Sequence, residues 1–220
     1  MSTESPPRES GATGVDPAAT RAAQKRYDRQ AIFYDFRDAP MERFLFRRWR
    51  DRLWSLVPAG RVLEVGVGTG HNIPYYDAHH DVTALDLSPK MLRRAEGRRR
   101  RLGKQTGLAL MDAQALAASD ASFDAAVSTC VFCSVPDPVQ GLSEMRRVLR
   151  PGGRAILLEH VRSRNPVLGW LMDRLNPLAV RMGGANINRD TVGNVERAGL
   201  RVVKVTDLRF GIFKLIEAER

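Results

Sequence analysis

The feature that most constrains this chain is the stretch R-V-L-E-V-G-V-G-T-G at 61–70. Val62, Leu63 and Val65 read as a buried strand. The strand breaks at once into glycines at alternate positions, Gly66, Gly68 and Gly70, with His71 next. Glycine lets a backbone turn sharply and lets a ligand come close to it. A dinucleotide-binding loop would have G-x-G-x-x-G, its third glycine placed where the helix packs on the strand. Here the spacing is G-x-G-x-G, with Glu64 two residues ahead of the first glycine. Taken alone, the loop is also compatible with a glycine-rich strand exit that holds no ligand. The rest of the chain has to decide.

From residue 61 onward, strand and helix patterns alternate, which implies a parallel sheet with helices on both faces. Strands are expected at 61–66, 82–87, 108–111, 123–129 and 154–159. A short helix is expected after Gly70, interrupted near Pro74. Ser88 caps the next helix, with Pro89 at its first position. Another helix covers 137–150, and Pro151-Gly152-Gly153 turns the chain into the fifth strand. Residues 160–188 show no sheet pattern and carry an apolar helix at 167–175. A helix at 189–198 ends at Gly199. The final strands, 200–208 and 212–218, are separated by a few residues around Gly211, which suits a hairpin and not a crossover.

Residues 1–20 are rich in Ser, Pro, Gly, Thr and Ala and are expected to be a disordered tail. Residues 21–58 are expected to form a helical cover, and 59–220 the main domain. In the cover, a helical segment within 20–38 carries Tyr27 and Tyr34, and Pro40 marks a break. Residues 41–57 form an amphipathic helix with Met41, Phe44, Leu45, Trp49, Leu53, Leu56 and Val57 on its stripe. Arg43, Arg47 and Arg50 lie off that stripe, with Phe46 and Trp54 among them. This second surface is either a solvated face or a contact for an anionic membrane surface, basic with aromatic anchors.

Charge matters to that choice. Lys+Arg total 35 against 25 Asp+Glu in 220 residues, a formal +10 carried almost wholly by arginine. Such a surplus favours anionic partners, or reflects coding bias alone. Nucleic acid is not favoured. Arg98 to Arg101 reads as the solvated end of a helix, without stacking aromatics nearby, and no nucleic-acid module is present. Cys130 and Cys133 form C-V-F-C at a strand end. No further cysteine completes a four-cysteine zinc site, so the pair is expected to be reduced and semi-buried, with no metal. No run is long and apolar enough to span a bilayer, and no signal-peptide core is seen. The expected location is cytoplasmic, with a peripheral membrane association kept open.

Four blocks in order resemble the ubiquinone/menaquinone methyltransferase group of class I S-adenosylmethionine-dependent methyltransferases. They are V-L-E-V-G-V-G-T-G at 62–70, V-T-A-L-D-L-S-P-K-M-L at 82–92, M-D-A-Q-A-L at 111–116 and S-F-D-A-A-V-S-T at 122–129. The likeness continues through M-R-R-V-L-R-P-G-G. Bacterial phosphatidylethanolamine N-methyltransferases are similar. The later segments, L-L-E-H-V-R-S at 157–163 and G-A-N-I-N-R-D-T-V at 184–192, look closest to membrane-associated alkyl thiol methyltransferases. This resemblance implies an α/β fold, a Rossmann-like seven-stranded methyltransferase sheet with helices on both faces and an antiparallel last strand.

It also implies S-adenosyl-L-methionine as cofactor, with Gly66, Gly68 and Gly70 passing beneath its methionine part. Asp86, at the end of the second strand, is placed to accept both ribose hydroxyls. Asp112 resembles the acid that accepts from the adenine amino group, with Ala113 offering backbone contacts. Glu64 supports the loop or reaches the cofactor's amino group. Leu87 and Met91 are candidates for apolar contact with adenine, and core packing explains them nearly as well. Thr129, with Cys130 and Val131, is expected to face the transferring methyl group. His160 is the best-placed candidate base, with Glu159 beside it, and Tyr27 and Tyr34 close the pocket from the N-terminal side.

The function expected is methyl transfer to a small, apolar or lipid-like acceptor, a phospholipid amine or a quinone-type ring. S-methylation of small thiols is one alternative, and methylation of another soluble metabolite is a second. A nicotinamide oxidoreductase is disfavoured by the glycine spacing and the terminal hairpin. A nucleic-acid enzyme is disfavoured by S-T-C-V-F-C-S-V at the exit of the fourth strand, which is not of the N-P-P-Y type. A non-catalytic, basic membrane-binding protein is disfavoured by the intact glycines and acids.

Overall fold

The computed structural model describes residues 14–220. Most of the expected tail, residues 1–13, lies outside the described residues. The part that is described is partly ordered as helix. Asp16 caps α1 (Pro17–Gln30), accepting from the Ala18 amide at 2.8 Å. The cover continues through α2 (Tyr34–Met41), a π-helical turn (Glu42–Phe46) and α3 (Arg47–Trp54).

Pro40 does not break the cover. It sits inside α2, and the helix widens into the π-turn one residue after Met41. A π-turn holds more residues than an α-turn, so it rotates the helix before it relative to the helix after it. The uniform stripe expected over 41–57 is therefore corrected. Met41 and Phe44 face solvent, whereas Phe46 and Trp54, expected among the arginines, are buried with Leu53 and Val57. Phe46 meets Phe213 edge-on at 5.7 Å between ring centres, and Trp54 meets Tyr76 at 4.8 Å.

The main domain is a seven-stranded sheet of order β3-β2-β1-β4-β5-β7-β6. Its strands are β1 (Gly60–Val65), β2 (His80–Asp86), β3 (Gly107–Leu110), β4 (Phe123–Thr129), β5 (Leu149–His160), β6 (Arg201–Arg209) and β7 (Phe213–Glu219). The first five pair parallel, and β7 runs antiparallel to both β5 and β6. This is the expected seven-stranded sheet with its antiparallel last strand.

Alternate residues of a strand point to opposite faces, and each face carries its own core. On one side Leu63, Ala126 and Leu157 pack with Leu142 of α5 (Pro138–Val148) and Val195 of α7 (Thr191–Arg197). On the other, Val62, Val127 and Leu158 pack with Leu53 of α3 and Ala95 of α4 (Pro89–Leu102). Ser88 caps α4 as expected, accepting from the Met91 amide, and Gly103 closes it with a left-handed φ of 62°. The helix expected after Gly70 is absent. In its place the chain forms turns and a 3-10 turn (Ile73–Tyr75), with Pro74 in its first positions. The remaining helix, α6 (Pro166–Gly183), lies between β5 and α7.

Candidate active site

β1 ends in the three glycines, and all adopt left-handed φ, 72°, 56° and 86°. Their roles differ. A Cβ on Gly66 would sit 2.4 Å from Val131, and one on Gly70 would sit 2.6 Å from Ile73, so both permit close packing. A Cβ on Gly68 would meet nothing within 4 Å, because it would project into open cavity. Gly66 and Gly68 line that cavity and Gly70 does not; it packs beneath α4.

The cavity at the end of β1 and β2 spans about 690 Å³ with its open mouth included, and it gathers most of the expected cofactor residues: Gly66, Gly68, Asp86, Leu87, Met91, Asp112, Ala113 and Thr129. Asp86 accepts from the amides of Gly68 and Ser88, both at 2.8 Å, which fixes the glycine loop against the start of α4. Each carboxylate oxygen has a second lone pair left for a ligand hydroxyl. Burial pushes the Asp86 carboxyl up from the ordinary range against the pull of those amides. Asp112 accepts from the Gln114 amide at 2.9 Å and from the Thr20 hydroxyl at 2.9 Å, so α1 closes over it.

A second cavity of about 1240 Å³ opens beside the first and shares Tyr27, Tyr34, Gly66, Gly68, Thr129 and Cys130 with it. Glu64 lines this second cavity, away from the first one. It is buried, accepts from Asn72 Nδ2 at 2.8 Å and from the Tyr76 hydroxyl, and burial raises its pKa to about 6. Asn72 also donates to Thr129 Oγ1 at 3.1 Å and accepts from Arg50 at 2.6 Å. Arg50 grips Glu42 with two bonds, at 2.8 and 3.1 Å. Arg50, expected on a solvated or membrane-facing surface, is thus buried, and the surface proposed for Arg43, Arg47, Arg50, Phe46 and Trp54 does not exist as one face. Sequence spacing did not identify Arg50, Asn72 or His71 as cavity residues. Only H-N directly after the glycines was available as a signal.

His160 and Glu159 diverge. His160 points to the α3 side, lines the second cavity and stands edge-on to Phe213 at 5.0 Å. Its Nδ1 is buried without a hydrogen-bond partner. Burial holds its pKa below 6.5. Glu159 points to the opposite face and lines neither cavity. It accepts from Ser128 Oγ at 3.1 Å and from the amides of Val131 and Phe132 at 3.1 and 3.3 Å. The expectation that Glu159 works beside His160 is corrected by strand alternation. Glu159 shapes the turn after β4, where Cys130 adopts a φ of 54°.

Tyr27 borders both cavities, and burial drives its phenol pKa up, so it stays protonated. Cys133 is buried and Cys130 half-buried, both as free thiols, as expected. Burial and the neighbouring Glu159 carboxylate raise both thiol pKa values, which keeps them from acting as nucleophiles. Arg98, expected to be solvated, turns to Asp35 at 3.2 Å, as does Arg94 at 2.9 Å. Asp77, His79 and His80 cluster at the far end of the sheet, where His80 is occupied by the Val57 carbonyl and the Asp77 amide.

A methyltransferase-domain model matches residues 63–157, from β1 through most of β5. The chain belongs to the class I S-adenosylmethionine-dependent methyltransferases. It is 37% identical to a phosphatidylethanolamine N-methyltransferase of Cereibacter sphaeroides over 66% of this chain and 72% of that protein. It is 38% identical to a demethylmenaquinone methyltransferase of Renibacterium salmoninarum over 60% and 56% of the two chains. It is 32% identical to a thiol S-methyltransferase of Rattus norvegicus over 66% and 61%. The match to the last two thus spans less than two thirds of their length. The S-adenosylmethionine-dependent methyltransferase of Mesorhizobium loti shares the fold, with a TM-score of 0.61 at 22% identity over 77% of this chain and 96% of that one.

The residues present fit the cofactor. The open cradle at Gly68 admits a close-approaching ligand, Asp86 supplies acceptors at the strand end beside it, and Asp112, held by Thr20 and Gln114, walls the same cavity. When bound, S-adenosylmethionine supplies a methyl group activated on a sulfonium. The chain's own part is to hold donor and acceptor in line and to keep water out. Thr129 and Cys130, shared by both cavities, mark where the two meet.

Proposed function

We propose that this methyltransferase acts on a small apolar or lipid-like acceptor, a phospholipid amine or a quinone-type ring, held in the second cavity. The observation that carries the reading is an imidazole, His160, lining a cavity walled by Phe46, Phe213 and Tyr34 that meets the cofactor cavity at Thr129 and Cys130. A protonated amine, a thiol or a quinol ring carbon must give up a proton in the course of gaining the methyl group. Neutral His160, its pKa lowered by burial, receives that proton on its imidazole ring. Tyr27 and Tyr34 close the cavity from the cover side. The relatives point the same way, two of them named for a phospholipid and a quinone. Small-thiol S-methylation is the second reading, favoured by the thiol S-methyltransferase relative.

The test is transfer of labelled methyl from S-adenosylmethionine to three acceptor sets: phospholipid amines, demethylated quinones and small alkyl thiols. His160→Asn should lower kcat by about 10²–10⁴-fold with cofactor affinity unchanged. In the wild type, activity should fall on acidification through a pKa below 6.5, and the variant should lose that limb. Label confined to the thiols would replace the lipid reading with the second. Full activity in His160→Asn would remove His160 from the chemistry.

A further inference from the structure

Helix α6 is amphipathic in reverse. Its inner side is small and polar. Gly169 lies against the Ser163 carbonyl, Asn176 bonds Asn186 and the Ile187 amide at 3.2 and 2.9 Å, and Asp173 is held by Arg162 at 2.8 Å. Only Met172 gives it a buried large apolar side chain. Its outer side is apolar: Val167, Leu171, Leu175, Leu178 and Met182 recur at steps of three and four and so share one face. Val167 is 75% exposed, Leu178 54% and Met182 72%. Soluble surfaces seldom leave such a stripe uncovered.

The edge of the stripe identifies what covers it. Trp170, Arg174 and Arg181 follow one another at helical spacing along that edge, and Arg174 stacks on the Trp170 ring at 5.5 Å. Indole beside arginine, bordering an aliphatic face, matches the boundary between acyl chains and anionic headgroups. A second copy of the same face is a poorer occupant. Asp173, the one acid in the helix, already belongs to Arg162 and Asn188, so a paired face would offer no carboxylate to either arginine.

The stripe is also continuous with the cavity. The Gln30 amide donates to the Gly183 carbonyl at 3.1 Å, joining the end of α1 to the end of α6. Directly after Gln30 come Ile32, Phe33 and Phe36, all exposed. Gln30, Met41 and Gly183 line the second cavity, and Met41 is exposed, so the cavity opens between the two apolar patches.

We propose that the outer face of α6, with Ile32, Phe33 and Phe36, docks on an anionic lipid bilayer and seats the mouth of the acceptor cavity against it. The docking stands on this surface alone; the delivery of acceptor through it rests on the lipid-like reading above. The test is sedimentation of the full chain with vesicles of phosphatidylcholine, with or without phosphatidylglycerol, in the absence of cofactor and acceptor. The wild type should pellet with the phosphatidylglycerol vesicles and be released by salt. Arg174→Ala with Arg181→Ala should weaken partitioning about thirtyfold, about fivefold for each arginine. Leu171→Glu with Leu175→Glu and Leu178→Glu should leave the protein in the supernatant. Calorimetric affinity for S-adenosylmethionine should be unchanged in both variants, since none of these residues lines the cofactor cavity. Trp170 emission should shift blue on vesicles, a shift lost in Trp170→Phe. Equal supernatant recovery of wild type and the leucine variant would overturn the proposal. So would a wild-type dimer that the leucine variant converts to monomer, with no vesicle binding by either. Docking without methylation of any lipid would uphold this surface and remove the acceptor reading.

Discussion

At Glu159 a carboxyl group accepts three hydrogen bonds while fully buried, and the burial wins: its pKa rises from 4.5 to about 7. The folded state therefore binds the proton more tightly than the unfolded chain. The associated stability is present in full below pH 4.5 and is lost as pH climbs to about 7. Glu159→Gln keeps the shape and cannot ionise. Between pH 5 and pH 8 the wild type should lose about 2–3 kcal/mol more stability than this variant in urea unfolding. An equal loss would mean that Glu159 titrates normally. At this scale the sequence paired Glu159 with His160 because they are adjacent. Adjacency along a strand places side chains on opposite faces, which is why one serves the turn and the other the cavity.

The cover illustrates what periodicity reads and what it misses. A single 3.6-residue phase placed Phe44 inside and Phe46 outside; the π-turn at Glu42–Phe46 exchanges them. Phe46 is 8% exposed and Phe44 73%. Phe46→Ala should cost about 3–5 kcal/mol in thermal or urea unfolding. Phe44→Ala should stay within about 0.5 kcal/mol. Comparable losses would mean that the cover keeps one α-helical phase. The π-turn has no local signature in residues 42–46. It becomes favourable only because Arg50 must reach Glu42 and Asn72 while Phe46 packs on Phe213, and Phe213 is distant in sequence.

Across the molecule, the cover is fastened to the loops that form the cofactor cavity. Thr20 bonds Asp112, Gln24 bonds the Leu87 carbonyl at 3.1 Å, and Asp28 accepts from Ser88 Oγ at 2.6 Å. Asp35 joins Thr69 and His71 of the glycine loop to Arg94 and Arg98 of α4. Cofactor and cover thus share the same loops, and whatever orders one favours the other. Binding of S-adenosylhomocysteine should slow amide exchange across residues 17–41, by up to about a hundredfold at a hundred times Kd. Exchange unchanged there, with protection confined to the glycine loop, would show that the cover closes independently.

The sequence by itself determined the succession of strands and helices in the nucleotide half, the glycine cradle, Asp86 and Asp112 at their strand ends, and the terminal hairpin. Each is local: a β-strand, a turn and a cap are written within about ten residues, and four such blocks in order leave few folds open. Tertiary structure alone decided the rest. It separated Glu159 from His160, buried Arg50 between Glu42 and Asn72, and moved the apolar outer surface from the arginine helix to α6. Those outcomes depend on which faces the sheet brings together, and that is settled by packing between segments far apart in the chain.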